Sequence, residues 1–176
     1  ALYFASDGSL GIAWEEGVCA LTPMEAAMQS LSLAEAKALW KCNDQLAELN
    51  YERFAHMDLE RQLTPAVLAY EGLAYQYMAP GVMTEGMLSY LQEHLRILSG
   101  FYGMLRPFDG IVPYRLEMQA KPEFCGTLYR FWGQRLGTAL SEQNDLVIDL
   151  ASEEYSRAVS LLEKRGLIGV DYGIPL

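Results

Sequence analysis

A chain of 176 residues, 51% hydrophobic and only 20% charged, fits one domain with a buried core and is too apolar to be disordered. It contains no apolar run near the ~20 residues of a membrane span, and its start shows no basic region and long apolar stretch of a signal peptide. The net charge of −10 argues against a generic nucleic-acid binder, whose affinity comes largely from cationic contacts to phosphate.

Residues 2–5 and 10–14 are expected as two strands joined by Ser6-Asp7-Gly8-Ser9, with Asp-Gly as the turn signal. Thr22-Pro23-Met24-Glu25 then reads as a helix start, with Thr22 capping, Pro23 in the first turn and Glu25 complementing the dipole. Ser32-Leu33-Ala34-Glu35 is a capping box, followed at helical spacing by Leu33, Ala36, Leu39 and Trp40. Asn43-Asp44 ends that helix and caps the next, which carries Leu46 and Leu49. Residues 66–70 read as a buried strand. Thr84 caps a helix running through Glu93, with Met87, Leu88 and Leu91 inward.

Residues 95–98 follow as a strand ending at Ser99-Gly100. Leu128, Trp132, Leu136 and Leu140 mark one amphipathic helix. Residues 146–150 are strand-like, and Ser152-Glu153-Glu154 opens a helix with its carboxylates at the positive end. Strands mixed with helices predict an α/β or α+β fold, a mixed sheet with surrounding helices, in a single domain over residues 1–176. Cys19, Cys42 and Cys125 are scattered and odd in number, so neither a disulfide framework nor a zinc ribbon is expected, and a reducing cytoplasm is the default.

Residues 94–118 hold the densest collection of special side chains: three arginines, two carboxylates, two tyrosines, three glycines and two prolines among apolar residues. Between His94 and Arg135 six basic residues face three acidic ones, against seven and twenty in the rest of the chain. An acidic body with a locally basic middle is compatible with binding an anion there. The run Ser99-Gly100-Phe101-Tyr102-Gly103-Met104-Leu105-Arg106 is either a glycine turn that lets backbone amides approach a phosphate, or a tight turn under packed aromatics. In Pro113-Tyr114-Arg115-Leu116-Glu117-Met118, alternation puts Arg115 and Glu117 on one face of an extended segment and Tyr114 on the other. The two charges pair with each other, or Arg115 holds an anion that Glu117 orients. On the residues alone, the best site is an anion-binding cleft of Arg96, Arg106, Arg115 and Glu117, with Ser99, Gly100 and Tyr114.

Other chemistries fare worse. Ser99 and Ser152 lack a Gly-x-Ser-x-Gly elbow, and only His56 and His94 are available as bases. Di-iron chemistry needs Glu-x-x-His pairs, and none is present; Glu52 and His56 form one isolated helical pair. No metal or cofactor is therefore expected. Phe101, Tyr102, Phe108, Tyr114, Tyr129, Phe131 and Trp132 interleave with the arginines, which suits either stacking on nucleobases or an ordinary core.

The block at residues 94–118 resembles the signature of the YaaA family of bacterial peroxide-stress proteins. Further blocks resemble the family in the expected order: residues 41–53, Thr64-Pro65-Ala66-Val67-Leu68-Ala69-Tyr70-Glu71-Gly72, Leu128-Tyr129-Arg130-Phe131-Trp132-Gly133, and Asp149-Leu150-Ala151-Ser152-Glu153-Glu154-Tyr155. Together they span roughly residues 30–160. Residues 1–20 and 164–176 do not resemble the family, and its Ser-Pro-Ala-Lys strand end and late Lys-x-Ala-Arg-Gly helix have no counterpart here.

The resemblance implies a cytoplasmic protein of the hydrogen peroxide response that limits free iron and binds double-stranded DNA. It also implies a helix-hairpin-helix across Asn43, although the usual glycine hairpin is absent and two packed helices are the plainer reading. An alternative is an enzyme acting on a nucleotide or other phosphorylated small molecule, with Glu117 or His94 as acid/base. A third reading is an inactive truncated homologue.

Overall fold

A computed structural model describes residues 24–160 of the chain. The strands expected at residues 2–5 and 10–14, and the Thr22-Pro23 helix start, lie outside the described residues. Helix α1 (residues 24–29) sends Met24 and Met28, one turn apart, into the core. At Ser32 the capping box closes: the Ser32 hydroxyl accepts the Glu35 amide, and the Glu35 carboxylate accepts the Ser32 amide at 2.8 Å. Helix α2 (Leu33–Trp40) buries Ala36 and Trp40 and stops at Lys41 in the left-handed conformation.

Asn43 caps helix α3 (Asp44–Ala55) by accepting the Leu46 amide at 2.9 Å. The inward face of α3 is Ala47, Asn50 and Phe54, and Leu46 and Leu49 are exposed. The cap fixes where the helix starts. Its packing against α2, through a Trp40–Phe54 ring stack at 5.5 Å, fixes which stripe turns inward.

Strand β1 (Thr64–Pro65) pairs antiparallel with β4 (Gly110–Ile111), in register Thr64 to Ile111 and Pro65 to Gly110. The buried strand expected at residues 66–70 is instead helix α4 (Ala66–Ala69). Its first amides donate to the 107–109 turn, Ala66 to the Asp109 carbonyl and Val67 to that of Pro107, both at 2.9 Å. The chain then closes one helical turn, with the Tyr70 amide on the Ala66 carbonyl. Ala66 and Val67 are buried while Leu68 is exposed. A short apolar run carries no period that separates a strand from one turn of helix.

Helix α5 (Leu73–Met78) and a 3-10 turn (Pro80–Val82) lead to α6 (Glu85–His94), capped as expected by the Thr84 hydroxyl on the Met87 amide. Leu88 and Leu91 are only half-buried and Met87 is 51% exposed, so none of the three is buried as expected. The next strand, β2 (Ile97–Ser99), begins two residues later than expected because Leu95 still closes α6 through its amide on the Leu91 carbonyl. It forms an antiparallel hairpin with β3 (Gly103–Leu105), Ser99 opposite Gly103.

The helix expected over Leu128, Trp132, Leu136 and Leu140 is two, α7 (Leu128–Trp132) and α8 (Arg135–Gln143), broken at Gly133 with φ 56° and ψ −128°. All four side chains are nonetheless buried. Residues 146–150 join neither of these sheets, but they keep a strand-like alternation, with Val147 in an isolated β-bridge and Leu146, Ile148 and Leu150 exposed. Helix α9 (Glu153–Ser156) starts after Ser152, whose side chain makes no cap bond. The fold mixes helix and strand as expected. In place of one mixed sheet, the described residues hold two separate antiparallel pairs. One core joins α1, α2, α3, the β2–β3 hairpin, α7 and α8 through Met28, Trp40, Phe54, Phe101, Trp132 and Leu136.

Candidate functional site

The 94–118 segment owes its shape to close backbone approaches. A Cβ on Gly100 would lie 2.3 Å from the Leu116 carbonyl oxygen, so only glycine lets the hairpin turn touch the 116–117 backbone. Gly103 has φ +80°, and a Cβ there would meet the Trp132 ring at 2.7 Å. The same indole donates to the Gly100 carbonyl at 3.0 Å. Trp132 thus clamps the glycine turn, and residues 112–118 run beneath it.

Under that turn lies a chain of hydroxyls. Buried Ser99 accepts the Tyr102 amide at 2.8 Å, and its Oγ is 2.5 Å from the Tyr114 hydroxyl. Tyr114 in turn meets the Tyr70 hydroxyl at 2.8 Å. Burial raises the pKa of both phenols, that of Tyr114 well above the usual tyrosine value, so they are neutral donors and acceptors near pH 7. Tyr102 turns its own hydroxyl the other way, accepting the Val112 amide at 3.1 Å.

Beside this chain, Arg115 and Glu117 share one face, as alternation requires. Arg115 Nη2 is 3.7 Å from Glu117 Oε1, with about a third of each side chain, 35% and 40%, open to solvent. Arg115 Nε also reaches the Trp40 carbonyl at 3.5 Å. The Tyr155 hydroxyl donates to Glu117 Oε2 at 3.2 Å, and burial followed by the neighbouring carboxylate raises its pKa. Helix α9 is held twice more: Glu154 Oε1 accepts the Gln119 amide just past the strip, and the Glu154 carbonyl accepts the hydroxyl of Tyr129 on α7. The result is a rigid bed of neutral phenols carrying one half-open arginine–carboxylate pair.

Arg96 and Arg106 belong to a second group. Arg96 donates Nη1 to the carbonyls of Gln92, Glu93 and Leu95, at 3.4, 3.1 and 2.7 Å, and so closes the C-terminal end of α6. Its pKa is lowered, first by burial and then by Arg106, while Asp109 opposes this. Fully buried Asp109 accepts the Arg106 amide at 2.7 Å and fixes the 106–109 turn. Gln92 anchors that turn to α6 by accepting the Phe108 amide at 3.0 Å. Of the seven residues singled out in the sequence, the hydrogen bonds and close contacts above therefore knit together Ser99, Gly100, Tyr114, Arg115 and Glu117. They set Arg96 and Arg106 at the α6 end of the same segment.

Tyr102, Asp109 and Trp132 stand out in the sequence only as aromatics and a charge of the basic window, and Tyr70 and Tyr155 not as site residues at all. Tyr70 and Tyr155 lie 44 and 38 positions from their partners, and nothing local marks a phenol for that task. Glu52 and His56 pair with each other at 3.5 Å on an exposed face. Among the described residues, no three of His, Cys, Asp and Glu are grouped to hold a metal ion. Among them, too, no helix is long and apolar enough to cross a membrane.

A family model described as peroxide stress protein YaaA matches residues 20–171. A UPF0246 protein of Pediococcus pentosaceus is 60% identical over 134 residues, covering 75% of this chain and 53% of its own length. One from Lachnoclostridium phytofermentans is 54% identical over 134 residues, 75% of this chain and 52% of its own. Another from Lactiplantibacillus plantarum is 54% identical over 137 residues, 77% of this chain and 55% of its own. The chain thus spans about half the length of the curated relatives it matches.

Proposed function

The chain belongs to the peroxide stress protein YaaA family, and on that premise we propose that it acts in the response to hydrogen peroxide, restraining free iron and binding double-stranded DNA through the face that carries Arg115. One observation carries the reading. Segments distant in sequence, around Trp40 and Tyr155, meet at the Arg115–Glu117 pair, Tyr70 and Ser99 meet at the adjacent Tyr114, and the guanidinium remains partly open. A pair separated by 3.7 Å and wet on one side is held weakly, so a phosphate can take the place of the carboxylate at little cost. Ser99, Gly100 and Tyr114 keep the strip rigid, and Arg96 and Arg106 add positive charge from the α6 end. Iron enters this reading as the ion being restrained, not as a resident group.

The test is fluorescence anisotropy of labelled duplex DNA with the wild-type chain and with Arg115→Ala and Arg106→Ala. Loss of one phosphate contact is expected to weaken binding about tenfold in Arg115→Ala, with a smaller loss in Arg106→Ala. Equal affinity of all three proteins would overturn the assignment of the face. For the iron arm, chelatable iron is measured in peroxide-treated cells. Lower iron with the wild-type protein than with Arg115→Ala is expected, and equal levels would count against it.

A further inference from the structure

An open surface pocket of about 380 Å3, lined by Glu123, Phe124, Cys125, Gly126, Arg130 and Phe131, has no part in the Arg115 reading and does not depend on it. Its walls come from one tight turn and the start of α7. The amides of Cys125 and Gly126 both donate to the Pro122 carbonyl, and Gly126 turns the chain with φ +77°. Thr127 then caps α7 by accepting the Arg130 amide at 3.1 Å, so Arg130 and Phe131 face the turn they follow. The Phe124 and Phe131 rings stand nearly perpendicular, at 79° with centroids 5.7 Å apart. They make an aromatic corner, and Phe124 leaves 44% of its surface to water.

Three features of this cavity are those a ligand would use. Its volume, about 380 Å3, is open to solvent rather than enclosed, so it would seat one side of a ligand. A planar ring can stack on exposed Phe124 and meet Phe131 edge-on, since one face of Phe131 carries the Arg135 guanidinium. The two charges differ in kind: the Arg130 guanidinium suits a phosphate, and the Glu123 carboxylate can accept N–H from an amino group on a ring edge. Burial raises the pKa of the Cys125 thiol, with Arg130 opposing, so it stays protonated at neutral pH and serves as wall rather than nucleophile.

We propose that this cavity binds a nucleotide with an amino-bearing base such as adenine, the base in the Phe124–Phe131 corner and the phosphate on Arg130. The nucleotide is either free or an unpaired residue of a nucleic-acid strand, and the experiment separates the two.

Because Cys125 lines the cavity and is only partly buried, its alkylation rate reports occupancy. The purified chain is treated with iodoacetamide alone, with AMP, and with a short oligodeoxyadenylate, and each cysteine is followed by peptide mass spectrometry. The ligand is expected to slow Cys125 about tenfold at saturation while Cys42 is unchanged. Phe124→Ala should weaken protection about tenfold, the loss of one base stack, and Phe124→Tyr should retain it. Arg130→Gln should weaken it as well. Both altered side chains are exposed, and the Cys42 rate without ligand confirms that each variant is folded.

Protection by AMP assigns a free nucleotide. Protection only by the oligonucleotide assigns an unpaired base in a strand. No protection by either up to about 10 mM, beyond the millimolar range of weak ligands, overturns the proposal, as does undiminished protection in Phe124→Ala and Arg130→Gln. Duplex binding through Arg115 can fail without changing any of these outcomes.

Discussion

Tyr114 is the residue on which the buried polar network turns. Its hydroxyl stands between Ser99 and Tyr70, while its ring packs against Phe101 and Tyr102. Tyr114→Phe keeps the ring contacts and strands two hydroxyls, so it should cost about 1–3 kcal/mol in urea unfolding. A loss below the error of the measurement would show that the chain of hydroxyls adds nothing. The same phenols set an alkaline limit. The folded pKa values of Tyr70, Tyr114 and Tyr155 lie above the ordinary value of 10.0, with burial the first cause in each. Above that pH the unfolded chain releases protons that the folded chain retains. Stability from these groups is therefore complete below about pH 10 and falls as pH rises beyond it. Tyr114→Phe should flatten that fall, which urea midpoints at neutral and alkaline pH would reveal.

Helix starts were legible in the sequence because caps are local. Ser32, Asn43 and Thr84 each accept the amide three residues on, as their side-chain chemistry dictates. Helix faces and continuity were less so. Leu46 and Leu49 mark α3 in the sequence without fixing its face, and Ala47, Asn50 and Phe54 are the buried ones, because packing against α2 decides the rotation. Residues 66–70 look like a strand and form a helical turn, because their first amides are spent on the 107–109 turn, some 40 positions away. The four-residue spacing of Leu128, Trp132, Leu136 and Leu140 found the right inward side chains and missed the break at Gly133. These two kinds of signal predict different costs. Asn43→Ala removes one cap bond and should cost about 1 kcal/mol. Gly133→Ala forces an L residue into φ 56°, ψ −128°, and should cost about 1–3 kcal/mol. Thermal melts of the two variants compare them directly, and an unchanged Gly133→Ala would mean that the break relaxes into a continuous helix.

Across the whole molecule, the matched segments become intelligible as one object. The arginines, glycines and paired carboxylate of residues 94–118 were visible as a cluster of unusual types. The phenols from α4 and α9 that hold them were not, since long-range hydrogen bonds leave no periodicity. The basic window also looked more uniform than it is. Arg96 is engaged by the carbonyls at the end of α6, and Arg135 packs against Phe131 and Trp132, while Arg115 keeps a third of its side chain in water.

A molecule with net charge −10 can hold duplex DNA only if such local contacts outweigh the acidic body, and that makes the account sharply salt-dependent. The decisive measurement is the affinity of the wild-type chain and of Arg115→Ala for one labelled duplex, over a series of salt concentrations. The account predicts that the logarithm of affinity falls linearly with that of salt, and that Arg115→Ala lowers both the affinity and the slope, the latter by about one. Identical slopes and affinities for the two proteins would contradict it.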